Sequence, residues 1–197
     1  MKLSAITAAP LCAGVLLAAC SASPSHTPSP QGSPTPGITS SASPVPSGTF
    51  NTTTMSTVTA ADLPATSPGP FTQVSDGLLA GHASTDQRTF TNADGSVIVE
   101  VDVILEASQG AISGDYSQVH TAAHNRVTSV AASTKPAIGE QADESSGTTG
   151  DGKGIVAITF ARLLTVNAVL VETPTSPDTQ LAEQIATALD VRIQGQG

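Results

Sequence analysis

Hydrophobic and polar residues alternate along the segment from Val97 to Leu105. Valines occupy the odd positions as far as Val103, whereas Glu100 and Asp102 lie between them, followed by Glu106. A period of two predicts a β-strand with one buried face and one exposed, acidic face. The sequence Asn92-Ala93-Asp94-Gly95 precedes it and is typical of a turn, so residues 88–91 are expected to form the first strand of a hairpin.

A different spacing follows between Ile112 and Val130. Apolar residues recur every three or four positions, which predicts an amphipathic helix; they are Ile112, Tyr116, Val119, Ala123, Val127 and Val130. Residues 135–139 then break the pattern with a proline and a glycine.

The last third of the chain contains two β-branched segments, 155–160 and 166–171. The second is apolar on both faces and is expected to be a central strand. Ser176-Pro177-Asp178 then predicts a helix start with proline in the first turn. The core side of this helix is formed by Leu181, Ile185, Ala188 and Leu189. The predicted order is two strands, a helix, two or three strands and a helix, which is an α+β domain with an antiparallel sheet and two main helices over residues 62–197.

The N-terminal segment differs from this domain. Lys2 is followed by an apolar run, residues 5–17, which is shorter than the roughly 20 residues that span a bilayer. The run ends in Leu17-Ala18-Ala19-Cys20, which resembles the lipobox of bacterial lipoproteins. This resemblance implies a signal peptide over 1–19, cleavage between Ala19 and Cys20, and palmitate-type acylation of Cys20. The alternative is an ordinary secretory signal in which Cys20 is incidental.

Residues 20–61 separate the lipobox from the predicted domain. They contain no Asp, Glu, Lys or Arg up to Ala61, and seven of the fourteen prolines, among many Ser and Thr. Such a segment buries too little apolar surface to offset its ordering entropy, so a disordered linker is predicted.

All sixteen acidic residues lie from Asp62 onward, against six basic ones. A domain of this charge is repelled by nucleic acid and by anionic headgroups, and neither is expected as a partner.

The cysteine count limits the possible covalent chemistry, because Cys20 is the only cysteine left after cleavage. An intrachain disulfide is therefore excluded in the processed protein, and thiol catalysis is not expected because acylation would block the Cys20 thiol.

Three groups of residues could carry chemistry. Gly147–Gly154 nearly matches a phosphate-binding loop, but Gly154 replaces the required Ser or Thr and a strand follows, so a hairpin loop is predicted. His120 and His124 have the i, i+4 spacing of zinc ligands, with His82 or Asp115 as a third, but Thr121 occupies the place of the catalytic glutamate.

The third group comprises carboxylates, at Asp143-Glu144 and at Glu100, Asp102 and Glu106. They could serve in acid–base work or calcium binding, but alternate positions on a strand face are typical of a solvated surface. We therefore predict no catalytic residues, no cofactor and no metal, and no enzyme activity.

Several segments resemble a recurrent actinobacterial module. They are Ile138-Gly139-Glu140-Gln141-Ala142-Asp143, a glycine loop, residues 156–162 and 167–171, and a closing helix. Over residues 75–195 the chain is similar to small cell-envelope lipoproteins and to extracellular sensor domains of membrane Ser/Thr kinases. The resemblance implies a helix-flanked antiparallel sheet without catalytic residues.

The sequence thus favours a non-enzymatic lipoprotein at the extracytoplasmic face of the cell membrane, presenting a tethered domain to another envelope protein. The alternative is a carrier or sensor that binds a hydrophobic or small polar molecule between sheet and helices. The two differ in whether the helices pack flush against the sheet or leave a cavity.

The anchor is tested by Cys20→Ser. We expect the variant to move from the membrane fraction to the soluble fraction, because the acyl chains supply the membrane affinity. Fractionation and immunoblotting of intact cells measure this. A variant that stays in the membrane fraction would contradict the lipobox interpretation.

Overall fold

The computed structural model describes residues 58–79 and 84–195. Cys20, the signal peptide and residues 20–57 of the predicted linker lie outside this part of the chain. The elements are β1 (Phe71–Gly77), β2 (Thr85–Asn92), β3 (Ile98–Leu105), α1 (Gln109–His124), β4 (Ser129–Thr134), β5 (Gln141–Thr148), β6 (Gly154–Arg162), β7 (Thr165–Thr173) and α2 (Thr179–Gln194).

The strands form one seven-stranded sheet in the order β1-β2-β3-β7-β6-β5-β4. Every neighbouring pair is antiparallel. Together with the two helices this confirms the predicted α+β class. Neither helix among the described residues is long and apolar enough to cross a membrane.

The helices lie on opposite faces of the sheet. Alternate residues of β7 belong to different cores: Val169 and Val171 pack with the α2 side chains, whereas Ala168 and Leu170 pack with those of α1. β7 lies between β3 and β6 at the centre of the sheet, as its two apolar faces predicted.

α2 begins later in the chain than the sequence predicted. Asp178 is its N-cap, and its carboxylate accepts a hydrogen bond from the backbone N–H of Leu181 at 3.0 Å. Pro177 therefore precedes the cap instead of occupying the first turn. Leu181, Ile185 and Leu189 are buried as predicted, and Ala188 is partly buried.

The predicted first helix was too long. α1 ends at His124, Val127 is buried in the following connection, and Val130 lies in β4 with 47% of its surface exposed. β1, β4 and β5 were not predicted as individual strands. The chain turns at residues 125–128 because residues 129–134 pair with β5.

Both edge strands are irregular. The pairing register shifts between Gln73 and Ser75 in β1 and between Val130 and Ala132 in β4. Each edge of the sheet therefore carries a bulge-type interruption.

The domain begins earlier than Asp62. Val58 is fully buried in the α2-side core, and Thr59 caps a short 3₁₀ turn, Ala60–Asp62. Arg192 of α2 contacts the Asp62 carboxylate at 2.6 Å. The prediction of a linker extending to Ala61 was therefore wrong for its last four residues.

Truncation of Val58 tests this boundary. We expect Val58→Ala to lower the free energy of unfolding by on the order of 2 kcal/mol, because a fully buried side chain leaves a cavity. Chemical denaturation measures the change. Val74→Ala is the control, since Val74 is 56% exposed and should cost little. Equal effects in the two variants would contradict a core position for Val58.

Candidate functional site: a cleft between α1 and the sheet

A cleft opens beside α1 because this helix covers only part of its face of the sheet. α1 lies over β6 and β7, and small residues on these strands, Ala157, Ala161 and Ala168, allow it to approach closely. The same face of β3 lies beside the helix and not beneath it. The resulting cleft has a volume of about 360 Å³.

The walls of the cleft are largely apolar. Ala122, Ala123 and Val119 of α1 form one wall, with Ala168 and Leu170 of β7 and Leu79 from the residues after β1. Gln118, Glu100, Asp102 and Arg126 supply the polar groups. An apolar enclosure with a few polar groups is the usual composition of a small-molecule site.

Arg126 is the cation that lines the cleft. Its guanidinium lies between two carboxylates, at 2.9 Å from Glu100 and 2.7 Å from Glu172. Lys153 approaches the other oxygen of Glu172 at 3.9 Å. Arg126 is therefore paired with Glu100 and Glu172, and Lys153 is paired with Glu172 and, at 3.5 Å, with Asp151.

Asp102 lies deeper. Only 8% of its surface is exposed, and its Oδ1 accepts a hydrogen bond from Gln87 Nε2 at 2.9 Å. Burial raises the pKa of Asp102 to about 6, and the nearby charge of Glu100 adds to the shift, against the opposing effects of Gln87 and Arg126. The prediction that this strand face is a solvated surface was wrong at Asp102, because Asp102 is buried in the cleft between α1 and the sheet.

A second acidic pair lies near the start of α1. Glu106, just after β3, is hydrogen-bonded to Asp115 of α1, and this bond, with burial and the charge of Asp115, raises the pKa of Glu106 to about 7. Asp115 precedes Val119 by one helical turn and so lies on the cleft side of α1. Glu106 therefore serves a helix contact and does not join Asp102 in one site.

The histidines form a row rather than a metal centre. The rings of His120 and His124 stack at 5.7 Å between centroids, and His124 Nδ1 lies 2.7 Å from Ser145 Oγ. Asp115 is engaged with Glu106, and His82 lies outside the described residues. Within 58–79 and 84–195 no three His, Cys, Asp or Glu side chains gather as metal ligands.

Asp143 and Glu144 face opposite sides of β5. Asp143 accepts a hydrogen bond from the Tyr116 hydroxyl at 2.8 Å and lies 3.5 Å from Lys135 Nζ. Glu144 is buried beside Glu183 of α2, and burial raises its pKa. The two carboxylates cannot act together on one substrate.

The glycine-rich loop is a hairpin, as predicted. Thr148 of β5 pairs with Gly154 of β6, and the backbone N–H of Thr149 donates to Lys153 O at 2.9 Å between them. A strand, not a helix, follows the loop. The N-terminal helix amides that a phosphate-binding loop uses are therefore missing at this site.

The pKa of Asp102 makes stability depend on pH. Because the folded protein holds this proton more tightly than the unfolded chain, the contribution of Asp102 is fully present below about pH 3.8 and is lost as the pH rises through about 6. We expect Asp102→Asn to gain stability relative to the parent between pH 4 and pH 7, by on the order of 2 to 3 kcal/mol.

Urea denaturation of both proteins across this range measures the difference. A difference that stays constant with pH would contradict the burial of an ionisable carboxyl at this position.

Comparison with protein-family models, with curated proteins and with solved structures gave no match for this chain. Membership of a lipoprotein or sensor-domain family therefore stays a prediction from the sequence, and the function is argued from the cleft.

Proposed function

We propose that the chain is a lipid-anchored binding module at the extracytoplasmic face of the cell membrane, whose domain holds a small molecule in the cleft beside α1. This is the carrier or sensor alternative of the sequence analysis, without enzyme activity. The observation that carries it is that α1 covers only β6 and β7 on its face of the sheet and leaves a cleft beside β3.

The contrast between the two helices supports a built cavity. On the α2 side, Ala182, Ala186 and Leu189 are fully buried against the sheet. On the α1 side, Ala122 is exposed beside a space of about 360 Å³. This volume is at the lower end of the range of roughly 300 to 1,000 Å³ of small-molecule sites, which favours a compact ligand.

A docking surface for another envelope protein has less support. The large exposed apolar side chains of the described residues are Val74, Leu78, Val130 and Val191. They are distributed over β1 and the residues after it, β4 and α2, whereas protein interfaces concentrate such side chains in one patch.

The anchor completes the proposal. Its support is the lipobox sequence ending in Cys20 and the uncharged segment that follows it. A tether of this composition leaves a binding domain free to meet ligands outside the membrane.

Filling the cleft tests the site. We expect Ala122→Phe to weaken binding of 1-adamantanol, a compact neutral probe, by roughly tenfold or more, because the ring takes up space that the probe needs. Calorimetric titration of the full chain in phospholipid nanodiscs, corrected with empty nanodiscs, measures the affinity.

Ala93→Phe is the matched control, since Ala93 is exposed in the turn between β2 and β3. The control should bind as the parent does. No saturable binding to the parent, or the same loss in both variants, would count against the cleft as a ligand site.

A further inference from the structure

We propose that the ligand is a small amine with a compact apolar body, its ammonium group bound by Asp102 at the base of the cleft. This inference rests on the proposed function and adds the chemical class of the ligand. It depends on the distribution of charge around the cleft.

Among the described residues Asp102 makes no salt bridge, although it is buried in the cleft and the charge of Arg126 acts on it from nearby. Arg126 is shared by Glu100 and Glu172, and Lys153 lies against Glu172. Among the described residues, Asp102 has only the neutral amide of Gln87 as a hydrogen-bond partner. A buried carboxylate is stabilised by a positive partner, and an ammonium group in the cleft would supply one.

The position of Asp102 in the sheet also favours an amine with an apolar body. Asp102 pairs in register with Ala168 of β7 and with Gln87 of β2, so small or neutral neighbours flank it on both sides. Ala168, Leu170 and Val119 provide an apolar enclosure beside the carboxylate. A ligand that fits therefore has a cationic end and an apolar end.

The surroundings disfavour other ligand classes. An anion would meet Asp102 and Glu100, while the one guanidinium lining the cleft is already bound by two carboxylates. A wholly apolar ligand would bury Asp102 further without giving it a partner, at a cost in free energy.

Three probes of one shape test the inference: 1-adamantylamine, which is positively charged at neutral pH, 1-adamantanol and 1-adamantanecarboxylate. With the full chain in nanodiscs, we expect the amine to bind roughly 10- to 100-fold more tightly than the alcohol, and the carboxylate to bind most weakly.

Asp102→Asn should reduce the affinity for the amine to that for the alcohol and leave the alcohol unchanged. Asp102→Glu should retain a preference for the amine. Asp76→Asn, the same change at an exposed position of β1, should preserve the whole pattern, which separates a local ion pair from general attraction to an acidic domain.

Equal affinity of the parent for amine and alcohol would overturn the inference, as would an unchanged preference in Asp102→Asn. In either case binding of the alcohol, sensitive to Ala122→Phe, would still support a ligand site. If none of the three probes binds, the inference and the proposed function fail together.

Discussion

The two apolar faces of the central strands are the constraint on which this domain depends. All but one residue of β6, and all but one of β7, are buried. Strands of this kind need a cover on each side. With one helix for each face and seven strands to cover, the helices are placed over the centre and cannot reach across the whole sheet.

The cleft follows from this placement. α1 is needed over Ala157, Ala168 and Leu170, and so lies to one side of β3. On the α1-side face of β3, Ile104 joins the core, whereas Glu100 and Asp102 line the cleft. Asp102 is buried by the nearness of the helix, yet remains beside an opening that is wide enough for a small molecule.

Periodicity and runs of β-branched residues identified the elements with the most apolar burial. β3 and α2 show their period in the sequence, β6 and β7 show a run of β-branched residues, and each was predicted close to its observed position. β5 could not be recognised in this way, because Ser145 and Ser146 are polar residues buried only by tertiary contacts. β4 has six exposed residues, and its valine happened to extend the helical spacing of α1.

The site was less predictable than the fold. Asp102 was noticed, but alternation alone assigned it to solvent, since nothing in the local sequence shows that a helix packs beside that face and encloses a cleft. Gln87 was missed because it reaches Asp102 only through strand register, and Arg126 was missed because it lines the cleft from just after the end of α1. The spacing of Gln87 from the turn at Asn92 is the one signal that could have placed it opposite Asp102.

The irregular edges of the sheet have a consequence for a protein held on a surface. A lipid anchor would gather many copies in a plane, where each meets the free edges of its neighbours far more often than in solution. Flat edges would then template strand addition and self-association. The register shifts in β1 and β4 interrupt the row of hydrogen-bonding groups at both edges, so crowding need not lead to aggregation.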